Sequence, residues 1–142
     1  VEKAILHFAG ERYSVWAWVV MPNHFHWVFE PLRQWVESLG KAADYRTPRE
    51  RIMHGVKRHS ARQCNRLLGE EGTFWHDESY DHCVDDVDEL ERIIHYVEQN
   101  PVKAGLVRDA ADFRFSSNRY RIANGIPNGR PLIGKTELTA LG

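Results

Sequence analysis

Residues 18–29 read Trp-Val-Val-Met-Pro-Asn-His-Phe-His-Trp-Val-Phe, and the rest of the chain is organised around them. The opening residues are apolar, as expected of a strand buried on both faces, and Pro22 with Asn23 signals a turn or bulge. In the strand that follows, successive side chains point to opposite faces. His24 and His26 therefore share one face, where two imidazoles can bind one metal ion or can equally be two partly buried surface histidines.

Composition bounds the class of protein. The chain has 142 residues, of which 42% are hydrophobic and 27% charged, as is typical of one globular domain. We find neither an apolar run near the ~20 residues of a membrane span nor a signal-peptide pattern. Cys64 and Cys83 are too few for a disulfide framework, so we expect a reducing, cytoplasmic setting. The net charge of −1 does not by itself predict nucleic-acid binding, so any such prediction must rest on local basic patches.

Short elements are predicted along much of the chain from the spacing of apolar residues and from glycine and proline breaks. We expect the end of a helix over residues 1–11, strands over 12–21 and 24–29, a short helix over 31–41, a loop over 42–46, a strand over 73–84 and a closing segment over 113–117. From residue 124 to 142 the periodicity is lost, and we expect a loosely held tail after a domain over residues 1–123.

The clearest helix signal begins at Thr47. This residue can be the N-cap, Pro48 occupies the first helical position, and Glu50 completes a capping box. The helix is predicted to run to Leu68 and to stop at Gly69. Its inner stripe is predicted to consist of Met53, Val56, Ser60, Cys64 and Leu67.

A row of basic residues lies along the same helix. Arg58, Arg62 and Arg66 recur every four residues, with Lys57 beside them. Such a row is a candidate DNA-binding surface that contacts phosphates. On helix statistics alone, an ordinary solvated helix face is the favoured interpretation of this row.

A later helix is predicted from Val87 to Asn100, with the acidic cluster at 85–89 capping its start and Pro101 ending it. Its core stripe is predicted to be Val87, Leu90, Ile93, Ile94 and Val97. Tyr96 falls just off that stripe, and Asn100 is its neighbour at i, i+4. If this helix covers the face that carries the two histidines, two imidazoles, a phenol and an amide meet.

These four groups suit the chemistry of a phosphodiester. Imidazole nitrogens and amide oxygens are competent ligands for a divalent ion, which polarises a phosphodiester as a Lewis acid. The Tyr96 phenol could then attack phosphorus and form a covalent phosphotyrosine. The plainer interpretation makes Tyr96 a half-buried core residue and Asn100 a C-terminal cap. Tyr80, which shares a strand face with His82, is the rival nucleophile, although it lacks a ligand partner at fixed spacing.

Several segments, in this order and spacing, resemble one family. Val-Val-Met-Pro-Asn-His-Phe-His-Trp-Val at 19–28 resembles the His-hydrophobic-His motif of single-tyrosine (HUH-superfamily) transposases. Tyr-Val-Glu-Gln-Asn-Pro-Val-Lys-Ala-Gly at 96–105 resembles their tyrosine helix. The segments 56–82 and 113–120 are similar to the REP-associated tyrosine transposase branch. The resemblance covers roughly residues 13–120.

The resemblance implies an α+β fold, in which helices pack on a compact antiparallel sheet of ferredoxin-like type. It implies an endonuclease that cleaves single-stranded DNA, often beside a hairpin, and transfers the strand through a 5′-phosphotyrosine, with Mg²⁺ or Mn²⁺. Tyr96 would be the nucleophile, and His24, His26 and Asn100 the metal ligands. Family members begin with a strand ahead of the position of Arg12, so we expect this chain to lack the usual first strand.

Other functions stay open at this point. One is a non-catalytic hairpin-binding protein derived from such a transposase, and another is a related single-tyrosine replication initiator or relaxase. A metal hydrolase of a different class could use His76 or His82. The sequence also leaves open whether the protein forms a homodimer.

Overall fold

The computed structural model describes residues 1–41, 45–77 and 79–134. Its elements are α1 (Glu2–Leu6), β1 (Tyr13–Val20), β2 (Phe25–Pro31), α2 (Arg33–Ser38), α3 (Pro48–Leu68), α4 (Val87–Lys103), a 3-10 turn (Ala110–Asp112) and α5 (Ser117–Ala123). The two strands form an antiparallel sheet on which helices pack, which confirms the α+β class. Within the described ranges, no helix has both the length and the apolar character needed to cross a membrane.

The sheet lies between two hydrophobic clusters, which explains why β1 is apolar on both faces. The first cluster joins β1 to α1 and α3, and its buried residues are Ala4, Ile5, Tyr13, Val15, Trp18, Ile52, Val56 and Leu132. The second cluster joins β1 to α4, and its buried residues are Trp16, Ala17, Val19, Met21, Leu90, Ile94 and Val97. Alternation along the strand already puts Trp16, next to Val15, into the second cluster, and the register shift between Val15 and Ala17 brings Ala17 into that cluster as well.

The second edge of β1 is bridged by later parts of the chain. Val20 N donates to Phe115 O (2.8 Å), so the predicted closing segment does lie beside the sheet. Leu132 is buried, and its N–H donates to Val15 O (2.8 Å). The expectation of a loosely held tail therefore does not fit residues 124–134, because β1 offers them backbone partners and an apolar face. Residues 135–142 lie outside the described residues.

Helix α3 begins and ends where the sequence predicts. Both hydrogen bonds of the capping box between Thr47 and Glu50 are present, and Gly69 ends the helix with a φ of 69°. The inner stripe is only partly as predicted: Val56 and Ser60 are buried, but Leu67 is 84% exposed. The last turns run past the first cluster, to which α3 contributes Ile52 and Val56.

Helix α4 corrects the prediction that Pro101 ends it. The helix continues to Lys103 with Pro101 buried inside its last turn. Pro101 removes one intrahelical bond, the one that its missing N–H would make to Val97 O, and the end of the helix is closed by a glycine cap. Gly105, at φ 70°, and Leu106 donate to Val102 O and Pro101 O (both 2.9 Å), which is a Schellman motif.

The strand predicted over 73–84 is wrong for the described residues of that segment, which contain no strand. The segment is held by side chains instead of by backbone pairing. Trp75 Nε1 donates to Ser60 Oγ (3.0 Å), and the Trp75 ring packs on Phe25 with centroids 5.1 Å apart. Its aromatic residues therefore anchor a loop on α3. Of the predicted loop over 42–46, residues 42–44 lie outside the described residues.

Candidate metal and tyrosine site

The two histidines lie together at the start of β2. Phe25, Trp27 and Phe29 pack against the first cluster, whereas Val28 packs against the second. The rings of His24 and His26 are 5.0 Å apart between centroids and nearly perpendicular, at 81°. The alternation along β2 therefore puts the imidazoles on the α4 face, as the sequence predicts.

Tyr96 comes to this pair from α4. The stripe of α4 that contains Ile94 and Val97 packs on β1, so the adjacent Tyr96 reaches the margin of the sheet. Its ring lies 5.7 Å from the His26 ring, at 72°, and the residue is 46% exposed. Two imidazoles and a phenol thus form one half-exposed row.

Asn100 lies one turn after Tyr96 on α4 and is partly buried. Its backbone oxygen accepts from Ala104 N (2.9 Å) near the helix end. Among the described residues, no hydrogen bond joins its side chain to either histidine. The structure thus brings the side chains of His24, His26 and Tyr96 together. Asn100 lies on the same face of α4 as Tyr96.

The hydrogen bond of His24 determines which ring nitrogen is available. Its Nδ1 lies 2.7 Å from Asn23 Oδ1, and because an amide oxygen only accepts, Nδ1 carries the proton. Nε2 then keeps its lone pair for a metal. Burial, and next repulsion between the two neighbouring imidazoles when both are protonated, lower the pKa of His26 and so favour the neutral form that a metal ligand needs.

The donor set fits a borderline divalent ion. Imidazole nitrogens suit transition metals, whereas Mg²⁺ prefers a shell of oxygens, so His24 and His26 favour Mn²⁺ over Mg²⁺. The described residues contain no group of three or more His, Cys, Asp or Glu side chains that could hold a metal. Two imidazoles would therefore need oxygens from an amide, from water or from a phosphate to complete the shell.

Sequence reasoning missed two residues of this site. Lys103 Nζ lies 4.7 Å from the centroid of the Tyr96 ring, which places a cation beside the phenol. The signal was available, since residues seven apart share a helix face. Asn23, directly before the first histidine, gives only a turn signal in the sequence, and its hydrogen bond to His24 is visible in the structure alone.

The basic row lies elsewhere. Helix α3 packs on the first cluster and α4 on the second, so the row and the histidines belong to different faces of the sheet. Arg58, Arg62 and Arg66 are exposed. Lys57 differs from them, because its Nζ bonds Ser79 Oγ and the backbone oxygen of His76 and so holds the loop after α3.

The rival groups do not join the site within the described residues. Tyr80 is 93% exposed and stacks on His82, with centroids 6.5 Å apart. The Nε2 of His82 lies 2.7 Å from Glu89 Oε1, which occupies that nitrogen. Neither ring has a described contact with His24 or His26.

Helices cover an antiparallel sheet, and two imidazoles and a phenol lie together at its margin. The chain therefore has an α+β fold with a candidate metal and tyrosine site. Among solved structures, the chain is similar to a REP-associated tyrosine transposase bound to a REP hairpin. The TM-score is 0.60 at 20% sequence identity, over 95% of this chain and 71% of that one. This likeness shows that the two share a fold. No protein-family model and no curated protein matches the sequence.

Proposed function

We propose that the protein cleaves single-stranded DNA beside a hairpin and transfers the strand through a 5′-phosphotyrosine on Tyr96. The contact between the His26 and Tyr96 rings, 5.7 Å apart, carries this proposal, because it joins metal-binding and nucleophilic groups at one site. Hairpin DNA as the partner is supported by the fold neighbour, which is described as bound to a REP hairpin. The proposal retains the predicted cytoplasmic setting.

His24, His26 and Asn100 would hold the metal ion. A bound Mn²⁺ or Mg²⁺ supplies Lewis-acid polarisation of the phosphodiester. His24 would bind through Nε2, with Asn23 fixing the ring by its hydrogen bond to Nδ1. The Asn100 amide oxygen would come from the helix face that already carries Tyr96.

The covalent step uses the Tyr96 hydroxyl. Its oxygen forms a bond to phosphorus, the bond from phosphorus to the 3′-oxygen breaks, and the phenolic proton ends on that oxygen through solvent. The products are a 5′-phosphotyrosine and a free 3′-hydroxyl. Attack of a 3′-hydroxyl on the phosphotyrosine reverses the step and joins strands. Lys103, beside the phenol ring, would offset the negative charge of the phosphate.

A non-catalytic hairpin-binding protein is the second candidate. It is favoured by the donor set, because the described residues contain no group of three or more His, Cys, Asp or Glu side chains that could hold a metal. Binding alone would use the exposed arginines of the basic row on α3. It predicts salt-dependent binding without a covalent product.

The proposal is tested by the covalent adduct. Parent protein, Tyr96→Phe and Tyr80→Phe are each incubated with labelled hairpin DNA carrying a single-stranded flank, with Mn²⁺ or with EDTA, and resolved under denaturing conditions. We expect a Mn²⁺-dependent adduct from the parent and from Tyr80→Phe, and none from Tyr96→Phe, because the phenol oxygen is the nucleophile.

Tyr80→Phe is the matched control, since it also removes one exposed phenol oxygen. As much adduct from Tyr96→Phe as from the parent would show that the nucleophile is misassigned. Salt-dependent binding by all three proteins, with adduct from none, would favour the non-catalytic candidate.

A further inference from the structure

A cavity of about 390 Å³ opens on the sheet face opposite the His24–Tyr96 site. It lies among α1, α2, α3 and the start of β1. Its basic residues are His7, Arg12, Arg46, Arg51, His54 and His59. No aspartate or glutamate is among the described residues that line it, so its ionisable groups favour an anion.

A neighbouring cavity shows that this charge pattern does not follow from α3 alone. That cavity, of about 520 Å³, lies between α3 and the loop after it. It is lined by Glu50, Asp77 and Asp81 as well as by basic residues. The same helix therefore borders one cavity of mixed charge and one that is cationic.

Arg12 is held in place at the cationic cavity. Its guanidinium carbon lies 3.4 Å from the centroid of the Phe8 ring, and the residue is partly buried. A guanidinium fixed by stacking keeps its donors for a phosphate. Trp35, which is partly buried, adds an aromatic wall, whereas Tyr13, at 1% exposed, only closes the bottom of the cavity.

At the rim of the cavity, the rings of His7 and His59 are parallel within 7°, with centroids 6.3 Å apart. Both residues are exposed, so a ligand in the cavity can reach their ring nitrogens. They add two hydrogen-bonding groups to the guanidinium of Arg12.

Gly55 adds a second, independent observation. It lies inside α3, where glycine costs about 1 kcal/mol relative to alanine. Its backbone has no positive φ, and a Cβ built there would meet nothing within 4 Å. Neither the backbone nor close packing requires glycine here. What the glycine leaves is open space on the wall of the cationic cavity.

We infer that this cavity binds one unpaired nucleotide of a DNA strand, with its phosphate on Arg12 and its base against the aromatic wall. The inference rests on the proposed function, in which the ligand is single-stranded DNA. Charge complementarity selects a phosphate, and aromatic walls stack bases of any sequence. The volume lies within the range of about 300–1,000 Å³ usual for small-ligand sites.

Gly55→Leu tests the inference, because it fills the cavity without changing any charge. Binding of a labelled oligothymidylate and of a blunt, fully paired hairpin is measured by anisotropy. We expect Gly55→Leu to bind the single strand about tenfold more weakly, the loss of about one stacked base, and to bind the hairpin as the parent does. Arg12→Met should also weaken single-strand binding and reduce its salt dependence.

Gln63→Leu is the matched control, since it puts a leucine on an exposed position of α3 that lines neither cavity. Thermal melts establish that the variants are folded. Equal single-strand affinity for the parent and for both Gly55→Leu and Arg12→Met would overturn this inference alone, provided that the parent binds DNA and forms its adduct. A parent that binds neither DNA would overturn the inference together with the proposed function.

Discussion

Two residues of α4, only two positions apart, have opposite surroundings. Glu98 is 5% exposed and accepts hydrogen bonds from Arg121 Nε (3.0 Å), Ser117 Oγ (2.7 Å) and Asn118 Nδ2 (3.2 Å). Tyr96 is 46% exposed, and its hydroxyl makes no hydrogen bond to any described residue. The Glu98 carboxylate accepts hydrogen bonds that hold the fold together, whereas the Tyr96 hydroxyl is available to a ligand.

The partner of Glu98 extends that network through the molecule. Arg121 also donates to the backbone oxygens of Trp16, Pro127 and Arg130. Ser117 Oγ in turn accepts from Trp18 N (3.0 Å). One buried ion pair therefore fastens α4 and α5 to β1 and to the segment that follows α5.

The largest expected effect is on stability, and it comes from removing the Glu98 carboxylate. Glu98→Ala leaves the Arg121 guanidinium buried without its counter-charge, which costs about 3–5 kcal/mol in the free energy of unfolding. Tyr96→Phe removes an oxygen that has no partner, and should change that free energy by no more than about 0.5 kcal/mol. Urea denaturation of both variants measures the difference.

His95→Ala is the control for Glu98→Ala, because His95 is an exposed neighbour on the same helix. Replacing Glu98 and Arg121 together by methionine leaves no charge unpaired, but it also removes the donors to the backbone oxygens of Trp16, Pro127 and Arg130, so it should not restore the stability of the parent. If Glu98→Ala and His95→Ala unfolded at the same urea concentration, the structural role that we assign to the Glu98–Arg121 network would be wrong.

A smaller effect is expected on metal affinity at the site that contains Tyr96. Asn23→Ala removes the acceptor that orients His24 and fixes its tautomer, and should weaken Mn²⁺ binding about 10–100-fold. Calorimetric titration measures the affinity, and Asn23→Asp, which keeps an acceptor oxygen in reach of Nδ1, is the control. Unchanged affinity in Asn23→Ala would mean that His24 needs no such support or is not a ligand.

What the sequence predicts well here is local. The alternation along β2, the capping box from Thr47 to Glu50 and the spacing of Tyr96 on its helix each depend on residues a few positions apart. These patterns gave both sheet faces, the bounds of α3 and the row of rings from His24 to Tyr96. The fold class, by contrast, was implied by the resemblance to a family, and the packing of α4 on the histidine face was only a condition of the predicted site.

The sequence predicts poorly those features of the structure that depend on residues far apart along the chain. Glu98 lies one turn after Ile94 at the margin of the apolar stripe, and only Arg121, 23 positions later, gives its carboxylate a partner inside the protein. The loop over 73–84 carries strand-like residues, but Trp75 anchors it on Ser60 instead. Leu132 is buried only because β1 has an edge for the last described segment.

The smallest expected effect extends the comparison to the basic row, where Lys57 is engaged and Arg62 has no described partner. Arg62→Met should lower the slope of log affinity against log salt by about 0.7–0.9, because one phosphate contact is lost, and leave stability unchanged. Lys57→Met should instead loosen the loop after α3, which hydrogen exchange would detect. Arg119→Met, which removes an exposed charge from α5, is the control. An equal change of slope in Arg62→Met and Arg119→Met would mean that net charge, and not the row, governs binding.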